Sequence, residues 1–404
     1  MIARLRIPGV GDPTLLALVL FMTGLGIAMI YSAGLVDVPS LATGIWVRQL
    51  YWFGVAIVAL AVTSRFSLRF LEWLAPWAYG ISVLLLILVL FIGTGPNGSW
   101  LELGPGRLQP AEVAKLGTIL MLARVMGGAP GPYERLLELL KPAVITLVPF
   151  ALVLLQPDLG SAMIFGALLL AALYWSGIPL FKIFLLASPG LSLLLGFNWI
   201  AWGLGFLVVA AGLYVHRLFI LEAVGVLLAN VFTGALTLRI WDSLADYQRN
   251  RLLVFLDPDI DPLGAGWHLI QSKVAIGSGG FIGAGFANGP QKRLAFLPEQ
   301  HTDFIFSVVG EEFGFIGVTL FLVLFAFLLW RVLQVAASMD DRFGSLIAFC
   351  LFAVLLTHIV VNLGMAVGMM PVIGLPLPLL SYGGSFLLVL YAGFGIVQRV
   401  AWEA

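Results

Sequence analysis

Residues 255–317 read FLDPDIDPLGAGWHLIQSKVAIGSGGFIGAGFANGPQKRLAFLPEQHTDFIFSVVGEEFGFIG. As far as Asp303 the stretch is polar, charged and rich in glycine. Beyond Asp303 a long apolar run begins, and most of the chain before residue 238 is apolar as well. A polar segment enclosed by lipid-soluble sequence decides the fold. The chain is an all-α, polytopic helical membrane protein, and this segment is the loop in which its ionisable groups gather. Such groups are costly near a bilayer and mark function there.

Composition agrees. Hydrophobic residues make up 61% of the 404 and charged residues 10%, with a mean hydropathy of +1.06. A soluble domain carries roughly 25% charged residues. The 12 Trp and 29 Phe suit membrane interfaces and lipid-facing surfaces. A formal net charge of +0 gives no electrostatic footprint for nucleic acid. The lone cysteine, Cys350, lies in an apolar run, which excludes a disulfide or a cysteine-based metal site within one chain.

Apolar spans are expected at 14–33, 46–63, 76–93, 111–127, 142–156, 160–177, 179–197, 199–215, 217–237, 304–330, 344–368 and 381–400. The short breaks at 156–160 and 197–199 are either turns or kinks within longer helices. The run Thr14 to Ala33 is too long for a signal-peptide core and reads as a retained first span. With the N-terminus in the cytoplasm, that side collects Arg4, Arg6, Arg65, Arg69, Arg124, Arg135, Lys141, Lys182, Arg217, Arg331, Arg342 and Arg399. The short outer loops hold only Arg48 and Arg107. Both termini are therefore expected to be cytoplasmic. Residues 1–404 form a single membrane domain, and 238–303 is a long extracytoplasmic loop.

Several residues stand out against this background. Glu112 and Lys115, in GRLQPAEVAKLG, are three apart on a helix and share a face. They are either a neutral pair at a helix start or the lining of a polar cavity. Asp158 in LQPDLGSA fits an N-cap. Glu299, His301 and Asp303 sit in LPEQHTDFIF at the mouth of the tenth span. Asp303 could cap that helix, or could act as a base whose pKa is raised by apolar Phe304 and Phe306. The His-x-Asp pair is a weak metal signal. Glu311 and Glu312 follow, with Glu311 nearer the Asp303 face by helical angle and Glu312 almost opposite. Glycines 277, 279, 280, 283, 285 and 289 lack the Lys-Ser/Thr of a phosphate loop and point instead to tight turns in a re-entrant segment. MPVIGLPLPLLSYGGS at 370–385 reads as a rigid loop dipping inward. Arg48 either snorkels to the surface or binds an anion.

The runs DPLGAGWHLIQSKVAIGSGGFIGAGF, FLPEQHTDFIFSVVGEEFGFIG and PVIGLPLPLLSYGG, with QPDLGSA and QPAEVAKL, closely resemble the SEDS proteins of shape, elongation, division and sporulation. IQSKVAIGSGG and MGMMPVIGLPLP look more like the rod-shape branch than the division branch. The resemblance implies a peptidoglycan glycosyltransferase that joins lipid II units during cell elongation. It would work on the outer face of the bacterial cytoplasmic membrane, with a class B penicillin-binding protein and other elongation-complex proteins. It implies Asp303 as the catalytic acid of the HTDFIF motif, with Glu112 and Lys115 as cavity residues. Members usually have a ten-span core; additional residues around 178–240 suggest two more spans here, about twelve in all. Phe386 stands where a second serine is common.

In such a reaction Asp303 would deprotonate the acceptor hydroxyl as general base. Arg48, Lys115, Lys273 and Arg293, or a divalent cation such as Mg2+, would neutralise the leaving diphosphate. Asp158, Glu299, His301, Glu311 and Glu312 complete the expected substrate-binding set. A lipid II flippase is the alternative, because it needs a cavity for the same lipid. A non-catalytic scaffold is a third reading, but it leaves Asp303, Glu112 and Lys115 without a role.

Overall fold

A computed structural model describes residues 10–37, 43–95, 98–103, 106–129, 133, 135–216, 219–244, 246–257, 260–261, 264–294, 296–297 and 299–404. Arg4, Arg6 and Arg217 of the orientation argument lie outside them. Each expected apolar run becomes helix. In chain order these are α1 (Pro13–Ala33), α2 (Ile45–Thr63), α3 (Leu68–Ile92), α4 (Pro110–Gly127), α5 (Leu140–Leu154) and α6 (Leu159–Trp175). They continue with α7 (Leu180–Leu195), α8 (Trp199–His216) and α9 (Ile220–Ser243). After the polar segment come α13 (Ile305–Ser338), α14 (Arg342–Val367) and α15 (Gly384–Glu403). Among the described residues, nine helices are long and apolar enough to cross a membrane; α5 qualifies together with the 3-10 turn before it. The apolar helices α6 and α7 are shorter, and α4 carries Glu112, Lys115 and Arg124. The breaks at 156–160 and 197–199 are true helix ends. Asp158 caps α6, and Asn198 accepts from the amides of Ile200 and Ala201 at the start of α8.

The polar segment is more ordered than a loop. It holds α10 (Asp246–Leu256), α11 (Ala265–Ser278) and the single turn α12 (Pro290–Arg293). A small antiparallel hairpin, β1 (Leu101–Leu103) and β2 (Gly106–Leu108), precedes α4.

At the centre of the bundle is α14, packed on α3, α4, α6, α11, α13 and α15. By contrast, α2 and α8 leave most of their surface outward, as lipid-facing helices do. Together α7, α8 and α9 build a small core of their own around Leu185, Val209 and Leu213. Asn230 of α9 is fully buried and bonds Ser188 and Ser192 of α7. Interhelical polar bonds of this kind hold helices together where apolar burial cannot.

A break in α13 shapes the region of interest. Gly314 has φ 59° and ψ −157°, so α13 is two helical pieces. The interrupted backbone groups are taken up by the glycine-rich segment. Ala284 N–H donates to Glu311 O (3.0 Å) and Gly285 N–H to Glu312 O (2.9 Å), while Phe315 N–H donates to Gly280 O (2.9 Å). A Cβ at Gly283 (φ +79°) would lie 2.1 Å from Glu312 O. Glycine is required there for close approach, which is what irregular backbone near a membrane demands.

Candidate active site

The HTDFIF motif folds as a turn leading into α13. The carbonyl of Glu299 accepts from Thr302 N–H (3.1 Å) and Phe304 N–H (3.3 Å). Phe304, Ile305 and Phe306 are buried. Asp303, at the lip of this apolar wall, does not cap the helix: no side chain does. Its carbonyl is held by Asn362 Nδ2 at 2.9 Å. Its carboxylate faces the 370–383 loop, since a Cβ at Gly374 would lie 3.4 Å from Asp303 Oδ2. That loop is buttressed against the same turn. Ser381 Oγ donates to Thr302 O (2.6 Å) and Tyr382 N–H to His301 O (2.9 Å). The Asp303 pKa is raised to about 7: burial is the largest cause, the nearby Glu299 carboxylate adds to it, and the Arg251 guanidinium opposes both. Burial lowers the His301 pKa, against the pull of Glu299.

Glu112 and Lys115 form a second centre near the start of α4. Lys115 Nζ donates to Glu112 Oε1 at 2.7 Å, and both side chains are almost fully buried. The ammonium also meets His358 Nε2 at 3.2 Å and lies 5.9 Å from the centre of the Phe386 ring. His358 Nδ1 is 3.1 Å from Pro376 O.

The other expected residues spread around these two centres. Asp158 Oδ1 accepts from Ser161 N–H (2.9 Å), which is the N-cap role, and Oδ2 accepts from Gln109 just before α4 (3.0 Å). Arg48 and Lys273 are exposed. Arg293 is exposed and pairs with Asp37 at 3.1 Å. Glu311 and Glu312 do not diverge as helical angle implied; both turn to α12. Glu311 accepts from Gln291 N–H (2.6 Å) and Lys292 N–H (3.3 Å), and Glu312 pairs with Lys292 at 2.5 Å. Both acids are buried. Residue 303 sits in a turn rather than on the helix, so an angle counted from it carries no meaning.

Four polar residues escaped the sequence reading. Lys292 is fully buried against Glu312 and Ser32. Arg251 acts on the Asp303 carboxylate. His358 and Asn362 are both fully buried on α14. A histidine in a long apolar run was a signal available to sequence analysis. Nothing in the sequence distinguished Lys292 from its exposed neighbour Arg293. Among the described residues, no group of three or more His, Cys, Asp or Glu is placed to hold a metal.

Comparison with known proteins now decides the family. The family model described as "Cell cycle protein", that of FtsW, RodA and SpoVE, matches residues 13–203 and 198–404. The chain belongs to this family. The two matches of the FtsW/RodA/SpoVE model overlap at 198–203, at the start of α8. Peptidoglycan glycosyltransferase MrdB of Escherichia coli K12 is 37% identical over 395 residues, covering 96% of this chain and 93% of that one. Peptidoglycan glycosyltransferase RodA of Treponema pallidum is 34% identical over 432 residues, covering 98% and 99%. Among solved structures, a chain of a peptidoglycan synthase complex that coordinates polymerization and crosslinking superposes with a TM-score of 0.72 at 32% identity. It covers 96% of this chain and 97% of that chain. The rod-shape-determining protein RodA of Thermus thermophilus superposes with a TM-score of 0.63 at 31% identity, covering 96% of each.

Proposed function

We propose that this chain is a peptidoglycan glycosyltransferase of cell elongation, polymerising lipid II on the outer face of the bacterial cytoplasmic membrane. Asp303 is its general base. One observation carries the assignment. Asp303 is a carboxylate with no capping duty, on an apolar lip, with a pKa raised to about 7. A base poised near the operating pH takes a proton from a hydroxyl most effectively. The acceptor hydroxyl attacks the anomeric carbon as Asp303 receives its proton, and the polyprenyl diphosphate leaves. A single displacement inverts that centre and needs no second carboxylate as nucleophile.

Cations must meet the diphosphate as it departs. Arg251 acts at the Asp303 centre, Lys115 belongs to the second centre, and exposed Arg48 and Lys273 extend the set. A divalent cation would be met by Asp303 and Glu299, too few donors for a protein cage. Mg2+ typically completes such a shell with substrate phosphate oxygens. Arg293, Glu311 and Glu312 serve the substrate indirectly, by shaping the glycine-rich segment. Asp158 does so by holding α6 to the segment before α4, and His301 by supporting the 370–383 loop.

The family relationship supports a class B penicillin-binding protein as partner, as does the likeness to a synthase complex. A lipid flippase would carry its acids and bases along the whole path across the bilayer. Here Glu112 and Lys115 lie in the first two turns of α4, Asp303 lies just before α13, and Glu311 and Glu312 lie beside α12. The test uses purified chain plus its candidate partner in vesicles with labelled lipid II. Glycan ladders on a gel support the assignment; transfer of lipid between leaflets with no polymer would replace it.

A further inference from the structure

His358 and Asn362 are one helical turn apart on α14, at i and i+4, so they stand on one face. Both are fully buried. They grip consecutive carbonyls of the 370–383 loop: His358 Nδ1 approaches Pro376 O at 3.1 Å, and Asn362 Nδ2 donates to Leu375 O at 2.8 Å. Each also reaches outward. His358 Nε2 meets Lys115 Nζ at 3.2 Å, and Asn362 Nδ2 donates to Asp303 O at 2.9 Å. One face of α14 therefore ties the Glu112–Lys115 pair and the Asp303 turn to the same two links of backbone.

The chemistry fixes the histidine tautomer. An ammonium only donates, so Nε2 must accept from Lys115. Nδ1 then carries the proton and donates to Pro376 O. His358 is neutral and doubly satisfied, with its ring tilted against Phe386 at 4.8 Å. Phe386 closes the other side of the ammonium at 5.9 Å. Lys115 is held by an acid, an imidazole lone pair and an aromatic ring. Where a serine is common at position 386, this chain closes the pocket with a ring.

We propose that His358 and Asn362 are positioning residues that act as one clamp, setting Lys115 and Asp303 in register across the 370–383 loop. This deepens the glycosyltransferase reading and rests on it. Small displacements of such groups cost up to about 100-fold in rate, so the clamp acts on kcat more than on KM.

The experiment is a variant series in the purified complex, assayed by lipid II polymerisation, with melting temperature measured in parallel. His358→Phe keeps the ring and loses both bonds; kcat is expected to fall about 10–100-fold with KM changed by less than about threefold. His358→Gln returns an oxygen acceptor toward Lys115 and is expected to recover most of kcat. Asn362→Leu keeps the shape, loses both donors, and is expected to fall as far as His358→Phe. If the two residues form one device, the double variant loses no more than the worse single. Multiplying losses in the double variant contradict a shared clamp. Wild-type kcat in His358→Phe, or equal loss and equal melting decrease in Phe and Gln variants, makes His358 a packing residue and overturns the proposal. A wild-type complex that makes no polymer removes the glycosyltransferase reading itself, and this inference with it.

Discussion

As the proposed general base, Asp303 depends on its neighbours for its readiness. With a pKa of about 7, its deprotonated fraction rises as pH passes through neutrality. The polymerisation rate at low lipid II concentration should rise with pH and level off above about pH 8. Glu299 adds a negative charge that disfavours ionisation of Asp303, so Glu299→Gln should move the acid limb to lower pH. Arg251 does the opposite, and Arg251→Gln should move the limb to higher pH. A limb that stays put in both variants would assign it to another group. Lys292 makes a different residue-scale case. It is buried against Glu312 with its ammonium also donating to Ser32 O at 2.8 Å. Lys292→Met leaves the Glu312 charge uncompensated and should cost about 3–5 kcal/mol, while Lys292→Met with Glu312→Leu should recover most of it. Detergent melts check both; a double variant as unstable as the single would show that the charges themselves stabilise the fold.

At the scale of elements, the twelve apolar runs were legible because hydropathy and length mark a membrane helix without reference to its partners. Glu112 and Lys115 were legible because i,i+3 spacing on a helix dictates a shared face. Of the glycines in 277–289, Gly279, Gly283 and Gly289 are close-approach positions as the sequence suggested, while Gly277 and Gly280 have open space around them; the partner was not legible, because the break at Gly314 is itself a tertiary event. α11 escaped notice because AGWHLIQSKVAIGS has neither strong caps nor a clean apolar face. His358 stood out in its apolar run, but its value depends on Lys115, far away in sequence. The helices α7 and α9 share the buried Asn230, Ser188 and Ser192 bonds. Removing α8 and α9 by joining residue 198 to residue 238 therefore leaves two hydroxyls of α7 facing lipid, at roughly 1 kcal/mol per lost bond. The shortened protein should retain polymerase activity and melt lower, and Ser188→Ala with Ser192→Ala should restore part of the loss. Complete loss of activity in a folded deletion would place α8 or α9 in the reaction.

Across the whole molecule, charge is kept at the two ends. At one end Asp12 pairs with Arg331 of α13 and exchanges backbone bonds with Gln398 of α15. Deeper in the bundle, Thr23 of α1 bonds Tyr391 of α15 through uncharged hydroxyls at 2.7 Å. At the other end Asp303, Glu112, Lys115 and Lys292 gather around α14, α4 and α12. A lipid-linked substrate can approach such an end from the bilayer while its sugars stay at the surface. The central claim is that Asp303 takes the acceptor proton there. The direct measurement is lipid II polymerisation by the purified chain and a candidate class B penicillin-binding protein, comparing wild type with Asp303→Asn on one gel and one melting curve. The expected result is glycan strands from wild type, none from Asp303→Asn, and melting temperatures that agree within a few degrees. Strands formed by Asp303→Asn at the wild-type rate would contradict the claim.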